Sequence, residues 1–148
     1  MIGDLFKAGA ETVSTTLRWG LLYLITHPRV QAKIHQELDT HVPQTRLPDL
    51  DDQPNLPYTQ ACILEIMRFS TVSLFGAPHT NHGGDVVVHD RLIPQDTIVM
   101  SNYWAMNMDE ATFKNATRFD PDHFYDAETN AVVNQEKITP FGMGESTI

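Results

Sequence analysis

The clearest helical period in the chain runs through residues 57–70, PYTQACILEIMRFS. Pro57 suits a first turn, where its missing N–H costs nothing. Ile63, Ile66 and Met67 fall on one face, flanked by Cys62 and Phe69. Glu65 and Arg68 interrupt that surface and, at i,i+3, lie side by side. On an exposed helix such a pair is worth roughly 0.2–0.5 kcal/mol. Burial changes its meaning, because a desolvated carboxylate and guanidinium need each other and further partners. Two readings stand: an ordinary helix salt bridge, which spacing alone favours, or a buried node to which a later loop is tied.

Residues 4–26 predict a long helix, with Asp4 as its cap and His27-Pro28 as its stop. From Trp19 to Ile25 it is apolar nearly all round, the pattern of a central helix. Its first half holds Gly9, Glu11, Thr12, Ser14, Thr15 and Thr16, which are poor helix formers. They suit a helix bent or opened where something approaches closely, or equally a plain polar face. In residues 29–40 a narrow stripe of Val30, Ile34 and Leu38 predicts a surface helix. Residues 41–56, with three prolines and three aspartates, read as a loop. The β-branched runs Val86–Val88 and Thr97–Met100 predict a small antiparallel unit. A short helix fits within Trp104–Phe113, and Ala116–Phe124 reads as aromatic and turn-rich, packed without regular structure. With helices first and a small sheet second, the class is α+β, mainly α.

At 148 residues the chain has the size of one domain, and 41% hydrophobic content permits a core. A net charge of −9 with no basic cluster argues against nucleic acid as a partner. The single cysteine, Cys62, excludes an internal disulfide and a multi-cysteine zinc site, and its apolar surroundings predict a buried, inert thiol. The apolar run Leu21–Ile25 is too short to span a bilayer, and the opening MIGDLFKAG lacks the pattern of a secretory signal. His79 and His82 lie at i,i+3 but are glycine-flanked with only Asp85 near, which predicts a solvated loop rather than a metal site. No base is placed by sequence beside Ser14, Thr15 and Thr16, so a nucleophile reading is weak.

Four stretches, in this order, resemble the cytochromes P450, particularly the microsomal type. Ala8-Gly9-Ala10-Glu11-Thr12 looks like that family's central-helix motif, and Glu65-Ile66-Met67-Arg68 matches its Glu-x-x-Arg helix. Arg118-Phe119-Asp120-Pro121-Asp122-His123-Phe124 is similar to the aromatic–proline segment that completes the Glu/Arg network. Pro140-Phe141-Gly142-Met143-Gly144 looks like the start of the haem-binding loop. Each is weak singly; the ordered set covers nearly the whole chain.

The resemblance implies a partial P450 domain over residues 1–148, from the oxygen-binding helix to the lip of the haem loop. It implies that Thr12 is the oxygen-side hydroxyl and Glu11 its acidic neighbour in oxygen activation and proton delivery. Gly9 lets haem and oxygen approach the backbone, and Phe141 and Gly144 neighbour the haem. Glu65 and Arg68 form a structural network with His123, a position where many members carry arginine, and Thr71–Ala77 line the substrate pocket. The implied parent activity is haem-thiolate monooxygenation of small apolar molecules, with electrons from an NADPH-dependent reductase, on the endoplasmic reticulum membrane.

The departures cut against that activity in this polypeptide. Counting along the family loop, Ser146 stands at the arginine position and Ile148 at the cysteine position. The thiolate favours O–O cleavage, and isoleucine cannot replace it. Ser146 also removes a cation for one haem propionate, and Asn107 and Met108 stand where many relatives place a partner for the other. The divergence after Gly144 reads as a truncation of the parent or an incomplete gene model, lacking the anchor helix. The chain alone is expected to be inactive, with no protein ligand to the metal and doubtful haem binding. The rival expectation is a non-enzymatic truncated product, an interaction module or an unstable fragment. A third is an unrelated α+β domain that matches by chance.

Overall fold

Helix α1 runs Ile2–Thr26 in the computed structural model, which describes residues 2–140, with backbone alone at residues 2, 4, 5 and 7. Its hydroxyl-rich half forms unbroken α-helix. Thr12 Oγ1 donates to the Ala8 carbonyl at 2.6 Å and Thr16 Oγ1 to that of Thr12 at 2.9 Å. These side chains satisfy themselves on the preceding turn, so the plain polar face holds and no local opening is present. The central-helix expectation for Trp19–Ile25 needs correction. Trp19, Leu21, Leu22 and Ile25 are exposed, while Gly20 and Tyr23 alone of this run are buried. Gly20 is the point of closest approach: a Cβ there would lie 3.3 Å from Ile66 Cδ1 on the next long helix but one. No helix among the described residues is long and apolar enough to cross a membrane.

Helix α2, Pro28–His41, lays Val30 and Ile34 against the core as its stripe predicts. Helix α3, Pro57–Ser70, is the axis of the packing. Its buried positions are Pro57, Tyr58, Ala61, Cys62, Glu65, Ile66 and Arg68, whereas Ile63 is exposed. The buried face is thus rotated from the one hydrophobicity suggested, and the charged pair occupies its middle. One apolar cluster, Tyr23, Cys62, Ile66 and Phe119, forms against α1 and α2. The other, Ala61, Phe113, Ala116, Phe124 and Ile138, forms against the C-terminal half of the chain.

Leu56 precedes α3 and supplies no side-chain cap. Glu37 of α2 does so instead, accepting from Tyr58 N and Thr59 N, both at 2.8 Å, and from Thr59 Oγ1 at 2.7 Å. A carboxylate at a helix N-terminus satisfies orphan donors and complements the dipole. Glu37→Ala is therefore expected to lower stability by about 1–2 kcal/mol, in the range of a lost N-cap. Urea unfolding followed by circular dichroism measures it, and an unchanged midpoint would remove the capping role.

The segment read as a loop contains a 3₁₀ helix at Leu50–Asn55, opened by a capping box between Asp49 and Asp52. Arg46 grips Asp52 with both terminal nitrogens, at 2.7 and 2.6 Å, and holds its carboxyl down to about 2. Among the described residues, three two-stranded antiparallel sheets lie beyond α3. Strand β1 (His79–Thr80) pairs with β4 (Ile98–Val99), and β2 (Val86–Val88) forms a hairpin with β3 (Arg91–Ile93). Strands β5 (Tyr125–Asp126) and β6 (Ala131–Val132) form a third unit, for which the sequence pattern carries no clear signal. Helix α4, Tyr103–Asn107, begins where the Asn102 side chain accepts from Ala105 N at 3.0 Å. The predicted irregular segment includes one 3₁₀ turn, Pro121–His123.

Candidate functional site

Glu65 and Arg68 are completely buried and joined by two hydrogen bonds of 2.7 Å, from Nε and from Nη2. The remaining guanidinium donors reach three main-chain carbonyls: Asn107 at 2.5 Å, Ala116 at 2.9 Å and Arg118 at 3.2 Å. All five donors are thereby used. The guanidinium carbon also lies 5.0 Å from the Phe113 ring centroid and 5.4 Å from that of Phe69. Glu65 accepts in addition from Asp120 N at 2.8 Å and faces His123 Nδ1 at 3.3 Å. His123 Nε2 meets the Lys114 carbonyl at 2.7 Å. A carbonyl only accepts, so Nε2 carries a proton. The hydrogen bond with Glu65 holds the imidazole above its ordinary range, assisted by the Lys114 carbonyl and opposed by burial. Of the two readings of the pair, the buried node is the one present.

The node borders a cavity of about 340 Å³. Helix α1 contributes Thr12, Val13, Thr16 and Leu17, two i,i+4 pairs on one helix face. Met67, Ser70 and the segment Thr71, Val72, Ser73 form a second wall; Tyr103, Asn107, Thr139 and Pro140 close it. Thr71 ends α3 in the left-handed region at φ +36°, a costly conformation for a β-branched residue. Its hydroxyl donates to the Arg68 carbonyl at 2.6 Å and accepts from Asn107 Nδ2 at 3.0 Å, which fixes it there. Gly76, at φ +62°, lets the Tyr103 ring close against the backbone, since a Cβ would collide with Tyr103 Cε2.

Thr12 lines this cavity, whereas Glu11 is exposed outside it and Gly9 faces open space. Glu65, Arg68 and His123 come together as one network. Phe141, Gly144, Ser146 and Ile148 lie outside the described residues. Asn107 stands out in sequence only as a departure from the family; its carbonyl and amide in fact tie node to cavity. That role has no signature in sequence, because one of the two groups is main chain. Sequence reasoning likewise misses Ser70, Tyr103 and Met67 as lining residues.

Haem needs an axial donor and cations for its two carboxylates. None of the described residues lining the cavity is cysteine, histidine, lysine or arginine. Met67 and Tyr103 carry donor atoms, but neither supplies a thiolate. Cys62 is 1% exposed in the cluster with Tyr23, Ile66 and Phe119, and burial, then Glu65, pushes its thiol up to about 12. The described walls therefore suit an apolar guest and do not fit a thiolate-ligated haem.

The family model for cytochrome P450 matches residues 1–146. The cytochrome P450 1A1 of Limanda limanda is 41% identical over 147 residues, which cover 98% of this chain and 28% of that protein. The cytochrome P450 1A5 of Gallus gallus is 42% identical over the same shares. The cytochrome P450 2D6 of Homo sapiens is 40% identical over 144 residues, 97% of this chain and 29% of that protein. The chain spans little more than a quarter of the length of these curated relatives.

Proposed function

The chain belongs to the cytochrome P450 family, and from that premise we propose that it carries the oxygen-side helix, the structural node and one wall of the substrate cavity of a haem-thiolate monooxygenase. One observation carries the reading: Thr12, Thr71–Ser73 and Pro140, three motif regions far apart in sequence, line a single cavity. In the parent, one atom of dioxygen enters a small apolar molecule and the other leaves as water. The electrons come from an NADPH-dependent reductase, on the endoplasmic reticulum membrane. Thr12 supplies the hydroxyl on the cavity side and Glu11 the acid on the solvent side of the same turn. Glu65, Arg68 and His123 position the walls and touch no reactant. Residues 1–148 act as one part of the family's domain, with Gly9, Phe141 and Gly144 beside the haem of the parent.

By itself the chain does not catalyse that reaction. Ile148 stands at the cysteine position, and Cys62 is locked in the core as a neutral thiol. Haem titration of the purified chain, followed by the spectrum of the reduced carbon monoxide complex, is the test. Absent saturation, or a spectrum of free or histidine-bound haem, is the expected result; a thiolate-type band overturns it.

A second reading, a non-enzymatic interaction module, is favoured by the completeness of the node without haem and by the apolar residues exposed on α1. Cooperative unfolding of the isolated chain supports that module. A molten or aggregated state, with apolar surface open to solvent, counts against it.

A further inference from the structure

We propose that the outer edge of β2 pairs with β2 of a second copy of the chain, antiparallel about Val87, joining two hairpins into one four-stranded sheet.

The hairpin itself leaves that edge open. Strands β2 and β3 are joined by the two-residue loop His89-Asp90, with φ of +46° and +62°. Such a loop makes the flanking residues Val88 and Arg91 a hydrogen-bonded pair, and the ladder then alternates. Val87 and Leu92 therefore form the non-hydrogen-bonded pair, and the N–H and carbonyl of Val87 point away from β3. Neither has a partner among the described residues, and Val87 is 66% exposed. Natural edges are guarded by proline, lysine or a bulge. Val86–Val88 carries none of these. On β3, by contrast, Arg91 and Pro94 flank Leu92, and β1 and β4 are only two residues long.

The occupant follows from the sequence of the edge. Asp85-Val86-Val87-Val88-His89 is complementary to itself when a second copy runs antiparallel. Val87 then faces Val87 and exchanges two main-chain hydrogen bonds with it, as its outward groups require. Val86 faces Val88, and Asp85 faces His89, so an exposed carboxylate of each copy meets an imidazole of the other. Cross-strand partners of this kind stabilise a sheet, whereas like charges directly opposite destabilise it. A slip of two residues sets Asp85 against Val87, and a slip of four sets the two Asp85 side chains against each other. Leu92, 62% exposed, lies opposite Val87 on the same face, so the joined sheet carries an apolar row of four side chains. A lipid surface is the poorer match, because Asp85 and Asp90 sit on the hairpin and the chain's net charge is −9.

Sedimentation equilibrium of the full 148-residue chain, from about 10 μM to about 1 mM, suits so small an interface. A monomer–dimer equilibrium is expected. Val87→Pro removes the outward N–H and no hydrogen bond of the hairpin, and is expected to weaken dimerisation about tenfold or more with the urea midpoint unchanged. His89→Asp retains a residue suited to positive φ but sets carboxylate against carboxylate, for an expected weakening of about three- to fivefold. A chain that stays monomeric throughout overturns the inference, and monomeric binding to phosphatidylcholine vesicles would then give the hairpin to a lipid surface. Association undiminished in Val87→Pro overturns it too, and places the contact on the apolar residues exposed on α1. If Val87→Pro lowers the urea midpoint, His89→Asp decides alone: dimerisation equal to that of the native chain overturns the pairing.

Discussion

Arg68→Ala is expected to destabilise the chain by about 3–5 kcal/mol, the cost of breaking a buried ion pair from one side. That is a large part of the ~5–15 kcal/mol that holds a typical domain, so cooperative unfolding should be lost or nearly so. The physical reason lies in what remains. Glu65 would stay at 0% exposure with the Asp120 N–H and His123 as its donors among the described residues. The carbonyls of Asn107, Ala116 and Arg118, drawn from both sides of the Phe113 loop, would lose the group that gathers them. Arg68→Lys keeps the charge but not the fork, and should recover only part of the loss. Combining Glu65→Leu with Arg68→Met tests the source of the cost. A double variant less damaged than Arg68→Ala points to the stranded carboxylate, and one equally damaged points to the orphaned carbonyls. Urea unfolding followed by tryptophan fluorescence reads all of these variants against the native chain. A shift below about 1 kcal/mol in Arg68→Ala would reduce the pair to an ordinary helix salt bridge.

The Glu65/Arg68 node was legible as a pair because its spacing is local, four consecutive residues on one turn. Its other partners were not, since Arg68 reaches main-chain carbonyls and any residue carries one. Hydrophobic period also misplaced the buried face. Ile63 reads as core and is exposed, because the centre of the true face is occupied by two charged residues that the period counts as surface. Trp19–Ile25 failed in the opposite sense. Its composition is that of a helix packed on several sides, while the described residues cover only the side of Gly20 and Tyr23. An apolar pattern records which positions suit burial and not what covers them. The 3₁₀ helix at Leu50–Asn55 did carry a signal in Asp49 and Asp52, which the surrounding prolines outweighed. Glu37 as the cap of α3 carried none, because donor and acceptor come from different helices. For the cavity, Thr12 and Thr71–Ser73 came from the family motifs, whereas Ser70 and Asn107 emerged only in three dimensions.

Raising the pH through neutrality is expected to weaken the fold through His123. Both ring nitrogens face acceptors, the Glu65 carboxylate on one side and the Lys114 carbonyl on the other. Only the imidazolium can donate to both. Its pKa is therefore higher folded than unfolded, with the Glu65 hydrogen bond as the main cause. The sign follows from linkage: the folded state binds the proton more tightly, so unfolding releases it and stability falls as pH rises. The contribution is complete below the ordinary histidine value and disappears as pH climbs through the raised one. The groups facing the ring are Glu65 and Arg68 of α3, the Lys114 carbonyl and the Phe113 ring, whose centroid lies 5.7 Å away. The Arg68 charge works in the opposite direction, lowering the pKa. His123→Ala removes the bridge at every pH, at a cost of about 1.5–3 kcal/mol for a hydrogen bond to a charged group. His123→Arg keeps a cation that does not titrate. Between pH 6 and pH 9 the urea midpoint should fall for the native chain and stay level for His123→Arg. Equal slopes in the two proteins would place the pH response elsewhere and leave His123 a packing residue beside Phe113. A level arginine variant would show that the third member of the node contributes through its charge, which is the property an arginine at this position makes permanent and a histidine makes conditional on pH.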